Sequence, residues 1–70
     1  MGAVRTPAAV LTRRIRAEFE EVPGLQLTVD EGVRFWALNF ETCAHVLQRL
    51  HEGGFLARTA DGRYQRAPAV

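Results

Sequence analysis

The stretch LTVDEGVRFWALNFETCAHVLQRLHEGGFL, from Leu27 to Leu56, carries its own helix boundaries, and few folds satisfy them all. Thr28 and Glu31 stand three apart, the spacing of a capping box in which a hydroxyl and a carboxylate each satisfy an orphan amide. A helix starting there runs to about Trp36, and Ala37-Leu38-Asn39 turns the chain. Asn39 is an N-cap for a second helix, its side chain placed to accept from the amide of Glu41 or Thr42. Cys43, Val46, Leu47 and Leu50 then fall at offsets 0, 3, 4 and 7, one apolar stripe of an amphipathic helix. Gly53-Gly54 end it, because glycine reaches the left-handed conformation at little cost. Two short helices, a tight turn and a following strand therefore form the centre of the chain.

Size decides how much can be built around that centre. Seventy residues make one domain, expected to be ordered over about 8–67 with short flexible tails. A chain this short buries only roughly 60% of its unfolded surface, so disulfides, a metal or a partner subunit are the usual reinforcements. The single cysteine excludes an internal disulfide and suits a reducing compartment. No run approaches the ~18–20 apolar residues of a membrane span, and MGAVRTPAAVLTRRIR is broken by Arg and Pro, unlike a signal peptide. A cytoplasmic protein without membrane contact is the expectation.

Upstream of the centre, Thr6-Pro7 and Thr12 are both candidate starts for a first helix, the former because proline fits the first helical position. Leu11, Ile15, Phe19 and Val22 form its apolar stripe. Arg14–Glu18 and Arg16–Glu20 are four apart and predict ion pairs worth a few tenths of a kcal/mol each. Pro23-Gly24 terminates the helix, and the alternation in Leu25-Gln26-Leu27 predicts a short edge strand.

Gly32 is out of place in a helix interior, where glycine costs about 1 kcal/mol relative to alanine. Trp36 lies one turn later on the same face. The economical account is size complementarity, with the indole filling the space a side chain at 32 would take; the sharper one is a ligand-stacking tryptophan. Val33 and Leu38 complete the core contribution, and Phe35 falls at its edge.

Beyond Gly54, Asp61-Gly62 is a strong hairpin signal, since glycine supplies the positive φ. A two-residue turn would put Phe55 and Tyr64 on one face. A three-residue turn, Ala60-Asp61-Gly62 with a glycine bulge, puts Leu56 and Tyr64 there instead, because a one-residue slip flips every side chain. The second is favoured: it buries Leu56 with Tyr64 and leaves Arg58 and Arg63 near the tip. Ala67-Pro68-Ala69-Val70 is a tail.

Helix, short strand, helix, turn, helix, hairpin is the order of a winged helix-turn-helix domain, and the chain resembles that superfamily from Leu11 to Ala67. LTVDEGVRFWALNFETCAHVLQRLHEGGFL resembles the generic LT-x-E-E-L-A-x-x-L-G-L-S-x-x-T-V-x-x-x-L-x-x-L-x-x-x-G-x-L of bacterial regulators. It departs at Gly32 for an aliphatic residue, Ala37 for glycine and Cys43 for valine. IRAEFEEVPGLQLTVDEGVRFWALNFETCAHVLQRLHEGGFLARTADGRYQRA is similar to short uncharacterised bacterial winged-helix proteins, which supply a layout and no function. The resemblance implies a mainly α (α+β) fold of three helices, a short strand and a C-terminal hairpin wing. It also implies double-stranded DNA as partner, read by the second helix of the motif. On this chain those positions are Thr42, Ala44, His45 and Gln48, with Arg49 toward phosphate. Gln48 suits adenine, and Arg58, Arg63 and Arg66 of the hairpin suit phosphates or a minor groove.

The charges sharpen and oppose that expectation. All nine cations are arginine and the net charge is only +1, so bulk electrostatics does not call for a polyanion. Residues 1–16 hold four arginines and no acid, whereas 18–31 hold five acids and no base. Arg49 stands against Glu41 and Glu52, leaving residues 40–52 at −1, less basic than a DNA-reading helix usually is. Cys43 reads as a small buried hydrophobe rather than a redox or metal group. His45 and His51 are six apart, on opposite sides of a helix, and no second Cys or carboxylate stands at zinc-ligand spacing. Nothing pairs a nucleophile with a base, cradles phosphate or binds a cofactor, so the expectation is a non-enzyme without cofactor.

Two functions remain. One is a small transcriptional regulator acting as a dimer, since one module makes few contacts. The other is a protein-interaction module anchored by Phe40 with Phe35. Whether Arg13, Arg14 or Arg16 join Arg58 and Arg63 on one side discriminates them.

Overall fold

The apolar spacing of the first helix is realised in α1 (Ala8–Glu21), which buries Ile15 and Phe19. The computed structural model describes residues 8–68. Thr6-Pro7 and the Ala69-Val70 end of the tail lie outside them. Thr12 is not a cap. It sits inside the helix, where its hydroxyl donates to Ala8 O at 2.8 Å, the back-bond a mid-helix threonine makes. Val22 also departs from the expected stripe and is 51% exposed. The helix ends at Glu21, and the turn through Pro23-Gly24 brings Leu25 against the core instead. Arg16–Glu20 pairs at 3.6 Å, while Arg14 and Glu18 line a groove beside Trp36 without an ion pair.

Strand β1 (Gln26–Leu27) leads directly into α2 (Val29–Trp36). The capping box is complete: Glu31 N–H donates to Thr28 Oγ1 at 3.2 Å, and Thr28 N–H donates to Glu31 Oε1 at 2.8 Å. Ala37 closes α2 in the left-handed conformation, φ 53°, and Leu38 N–H reaches back to Val33 O. Alanine in that conformation carries a strain that glycine would not. Asn39 then caps α3 (Phe40–Glu52), its Oδ1 accepting from Thr42 N–H at 2.7 Å. Gly53 keeps a right-handed conformation, and Gly54 alone takes the positive φ, +84°. Its N–H donates to His51 O and that of Phe55 to Leu50 O, the paired bonds of a Schellman closure.

β2 (Leu56–Arg58) and β3 (Tyr64–Arg66) form the hairpin, and the antiparallel sheet runs β1-β3-β2. The register pairs Leu56 with Arg66 and Arg58 with Tyr64, so Leu56 and Tyr64 share the inner face and both are buried. Thr59 N–H donates to Arg63 O and Gly62 N–H to Thr59 O, with Gly62 at φ +85°. This is the bulged turn over Ala60-Asp61-Gly62. The whole is an α+β fold of three helices on a small sheet.

Every core side chain is apolar, a cysteine or a tyrosine: Ile15, Phe19, Leu27, Cys43, Val46, Leu47, Leu50, Leu56 and Tyr64. A Cβ at Gly32 would lie 2.8 Å from Cys43 Sγ and 2.9 Å from Trp36 Cζ3, closer than side chains tolerate. The indole and the thiol therefore occupy that space, as size complementarity requires.

Two substitutions test this packing by chemical denaturation. Leu47→Ala is expected to cost ~2–5 kcal/mol through the cavity it leaves. Gly32→Leu is expected to cost about 1–3 kcal/mol by overpacking, although leucine is the better helix former. A gain in stability for Gly32→Leu would refute the interlock.

Candidate nucleic-acid interface

Burying Cys43, Val46, Leu47 and Leu50 turns the opposite side of α3 outward, at 100° per residue. Glu41, His45, Gln48 and Glu52 occupy it, all exposed. Gln48 leans toward the hairpin: its Oε1 is 3.5 Å from Tyr64 Oη, and its Nε2 donates to Glu52 at 3.3 Å. Both bonds are long and leave the amide exchangeable. His45 and Arg49 lean the other way and line a groove with Thr12, Arg13 and Arg16 of α1. Thr42 is half-buried beside Leu38 and Glu41, and Ala44 is half-buried.

The hairpin arginines are dispersed. Arg58 is exposed, its guanidinium 5.7 Å from the Tyr64 ring centre. Arg66 lies 5.5 Å from the ring centre of Phe55, and Arg16 of α1 lies 4.6 Å from the same ring. Arg63 is taken up by carboxylates: Nη1 donates to Glu31 Oε1 at 3.0 Å and Nε to Asp61 Oδ2 at 3.2 Å. The eight expected contact residues are thus scattered. Gln48 and His45 lie on the outer α3 face, Arg49 lies on the seam with α1, and Thr42 and Ala44 are half-buried. Arg63 is bound by carboxylates at the hairpin tip, Arg58 lies over Tyr64, and Arg66 lies over Phe55 at the hairpin base.

Arg13 and Arg16 of α1 line that seam with Arg49, and Arg16 reaches the base of the hairpin at Phe55. Reasoning from the sequence left Arg13 and Arg16 out of the contact set and asked whether the α1 arginines join Arg58 and Arg63 on one side. They do not: Arg13 and Arg16 line the seam with Arg49, Arg14 lies beside Trp36, Arg58 lies over Tyr64, and Arg63 is held by Glu31 and Asp61. The flank of Arg13 and Arg16 was nonetheless readable, because Thr12, Arg13 and Arg16 lie on one side of the Leu11–Ile15–Phe19 stripe and Arg14 and Glu18 on the other. What meets that flank depends on how α1 packs on α3.

Electrostatics follows the contacts. Accepting the Thr28 amide, with Arg63 nearby, holds the Glu31 carboxyl below its ordinary value. The Thr59 hydroxyl, with Arg63 again adding, does the same for Asp61. Burial pushes the Cys43 thiol up. Among the described residues no group of three His, Cys, Asp or Glu side chains could hold a metal ion, and no helix is long and apolar enough to cross a membrane. Comparison with family models, curated proteins and solved structures finds no match in any of the three.

A depressed carboxyl contributes stability above its unfolded pKa and loses it as pH falls through the folded value. Glu31→Gln retains a capping acceptor but removes the charge facing Arg63. Its destabilisation is therefore expected to be larger at pH 7 than at pH 3 in parallel urea titrations. Equal losses at both pH values would show that the ionised carboxylate adds nothing.

Proposed function

We propose that this chain is a winged helix-turn-helix protein that binds double-stranded DNA as a small transcriptional regulator, acting as a dimer. The observation that carries the reading is the order α1-β1-α2-α3-β2-β3, with β1 completing the sheet of a C-terminal hairpin. In that arrangement α3 enters the major groove and Thr42, His45 and Gln48 meet base edges. Ala44 supplies a small apolar surface beside them, and Arg49, Arg58 and Arg66 meet phosphates. Arg63 joins them only by exchanging Glu31 and Asp61 for a phosphate.

A second reading rests on one specific feature. Phe35 and Phe40 are 60% and 55% exposed, and the outermost line of α3 carries Glu41 and Glu52. Exposed aromatics beside acids suit a protein partner better than a phosphate backbone.

Fluorescence anisotropy on mixed-sequence duplexes across a salt series separates the two. DNA binding predicts a log–log slope of about −0.9 per phosphate neutralised. Gln48→Ala should lose ~1–3 kcal/mol of discrimination at one base pair and leave the slope unchanged. Arg58→Ala should weaken binding to all sequences and flatten the slope by about one unit. Glu41→Gln should tighten non-specific binding. Absence of salt-dependent retention at low ionic strength would pass the assignment to the interaction module.

A further inference from the structure

The groove between α1 and α3 concentrates positive charge. Arg13 and Arg16 face His45 and Arg49 across it, and among the described residues no carboxylate lines it. Arg16 has one ion pair among the described residues, with Glu20, and both partners are about half exposed. The Thr12 hydroxyl on the rim is already committed to Ala8 O. The donors facing the groove are thus the guanidiniums, that of Arg16 with its Nε turned to Glu20, and the imidazole. Phe55 extends the strip: Arg16 and Arg66 approach its ring to 4.6 and 5.5 Å, which keeps the two guanidiniums within about one Debye length.

We propose that this groove is a phosphate cleft that seats one backbone strand of duplex DNA while α3 occupies the major groove. The proposal rests on the DNA-binding reading and says where its phosphates go. A helix with its side chains is about 10–12 Å across and the major groove about 12 Å wide. A helix lying in that groove therefore has a phosphate strand along each flank. On one flank stand Arg58 and the carboxylate-bound Arg63. On the other stand Arg13, Arg16 and Arg49, whose planar forks match phosphate oxygens. The α1 flank carries the larger share of counterion release.

The test combines anisotropy salt titrations with amide chemical-shift mapping of the unmodified chain, using a mixed-sequence duplex and, separately, inorganic tripolyphosphate. The duplex should shift the amides of Arg13, Arg16, His45 and Arg49. The double variant Arg13→Gln, Arg49→Gln should flatten the log–log slope by about two units. Arg14→Gln, on the opposite flank of α1, should leave it unchanged. Duplex binding with shifts confined to Gln48 and the hairpin overturns the cleft and leaves DNA binding standing. A response to tripolyphosphate without duplex retention overturns both, and makes the groove a small-anion site. No response to either probe also overturns both.

Discussion

The approach of α2 to α3 depends on a side chain that is missing. Gly32 is buried, and the volume its Cβ would fill is shared by Cys43 Sγ from α3 and the Trp36 ring from its own helix. Interiors pack near crystal density, so such a gap is filled only by partners of matching shape. The fit has a cost: Trp36 Nε1 is buried without a hydrogen-bond partner, a loss of about 1–3 kcal/mol. The indole also reaches Phe19, with ring centres 6.1 Å apart, so one contact ties α1, α2 and α3 together. With both neighbours fixed on its inner stripe, α3 has only one side left to present.

The ends of α3 are fixed independently of that packing. Asn39 satisfies an orphan amide at its start, and Gly54 lets Phe55 turn back onto Leu50 at its end. Phe55 is consequently held near α1, where Arg16 and Arg66 find it. A backbone closure thus decides which cations become neighbours. At the other end of the hairpin, Glu31 serves two masters, capping α2 and holding Arg63. The tip is thereby joined to the start of α2.

This division explains what could be read in advance. Caps, stripes and the bulged turn are decided within a few residues, by hydrogen-bond donors at helix ends and by strand alternation, so Thr28, Asn39, Leu47, Leu56 and Tyr64 were legible. Thr12 and Val22 were misplaced because a hydroxyl can bond backward as well as cap, and because a stripe does not announce where its helix stops. The candidate site was less legible. Thr42, His45 and Gln48 were named only through the resemblance to winged-helix regulators. Helical phase turns His45 and Gln48 outward but leaves Thr42 half-buried, and the partner of each arginine depends on tertiary packing and on long side chains with many rotamers.

Net charge conceals the resulting asymmetry. On the hairpin side, Glu31 and Asp61 meet Arg63 and their own carboxyl groups are stabilised in the ionised form. That side neutralises itself. On the α1 side, Glu18 falls on the far flank with Arg14, and among the described residues Glu20 alone reaches Arg16. Coulomb fields over distances comparable to the Debye length respond to these local sums, not to the total of +1. The outer line of α3 thus carries two glutamates, one flank a compensated hairpin tip, and the other an arginine strip whose ion pair among the described residues is Arg16–Glu20. The crest of the helix and its seam with α1 therefore differ in the sign of their local charge.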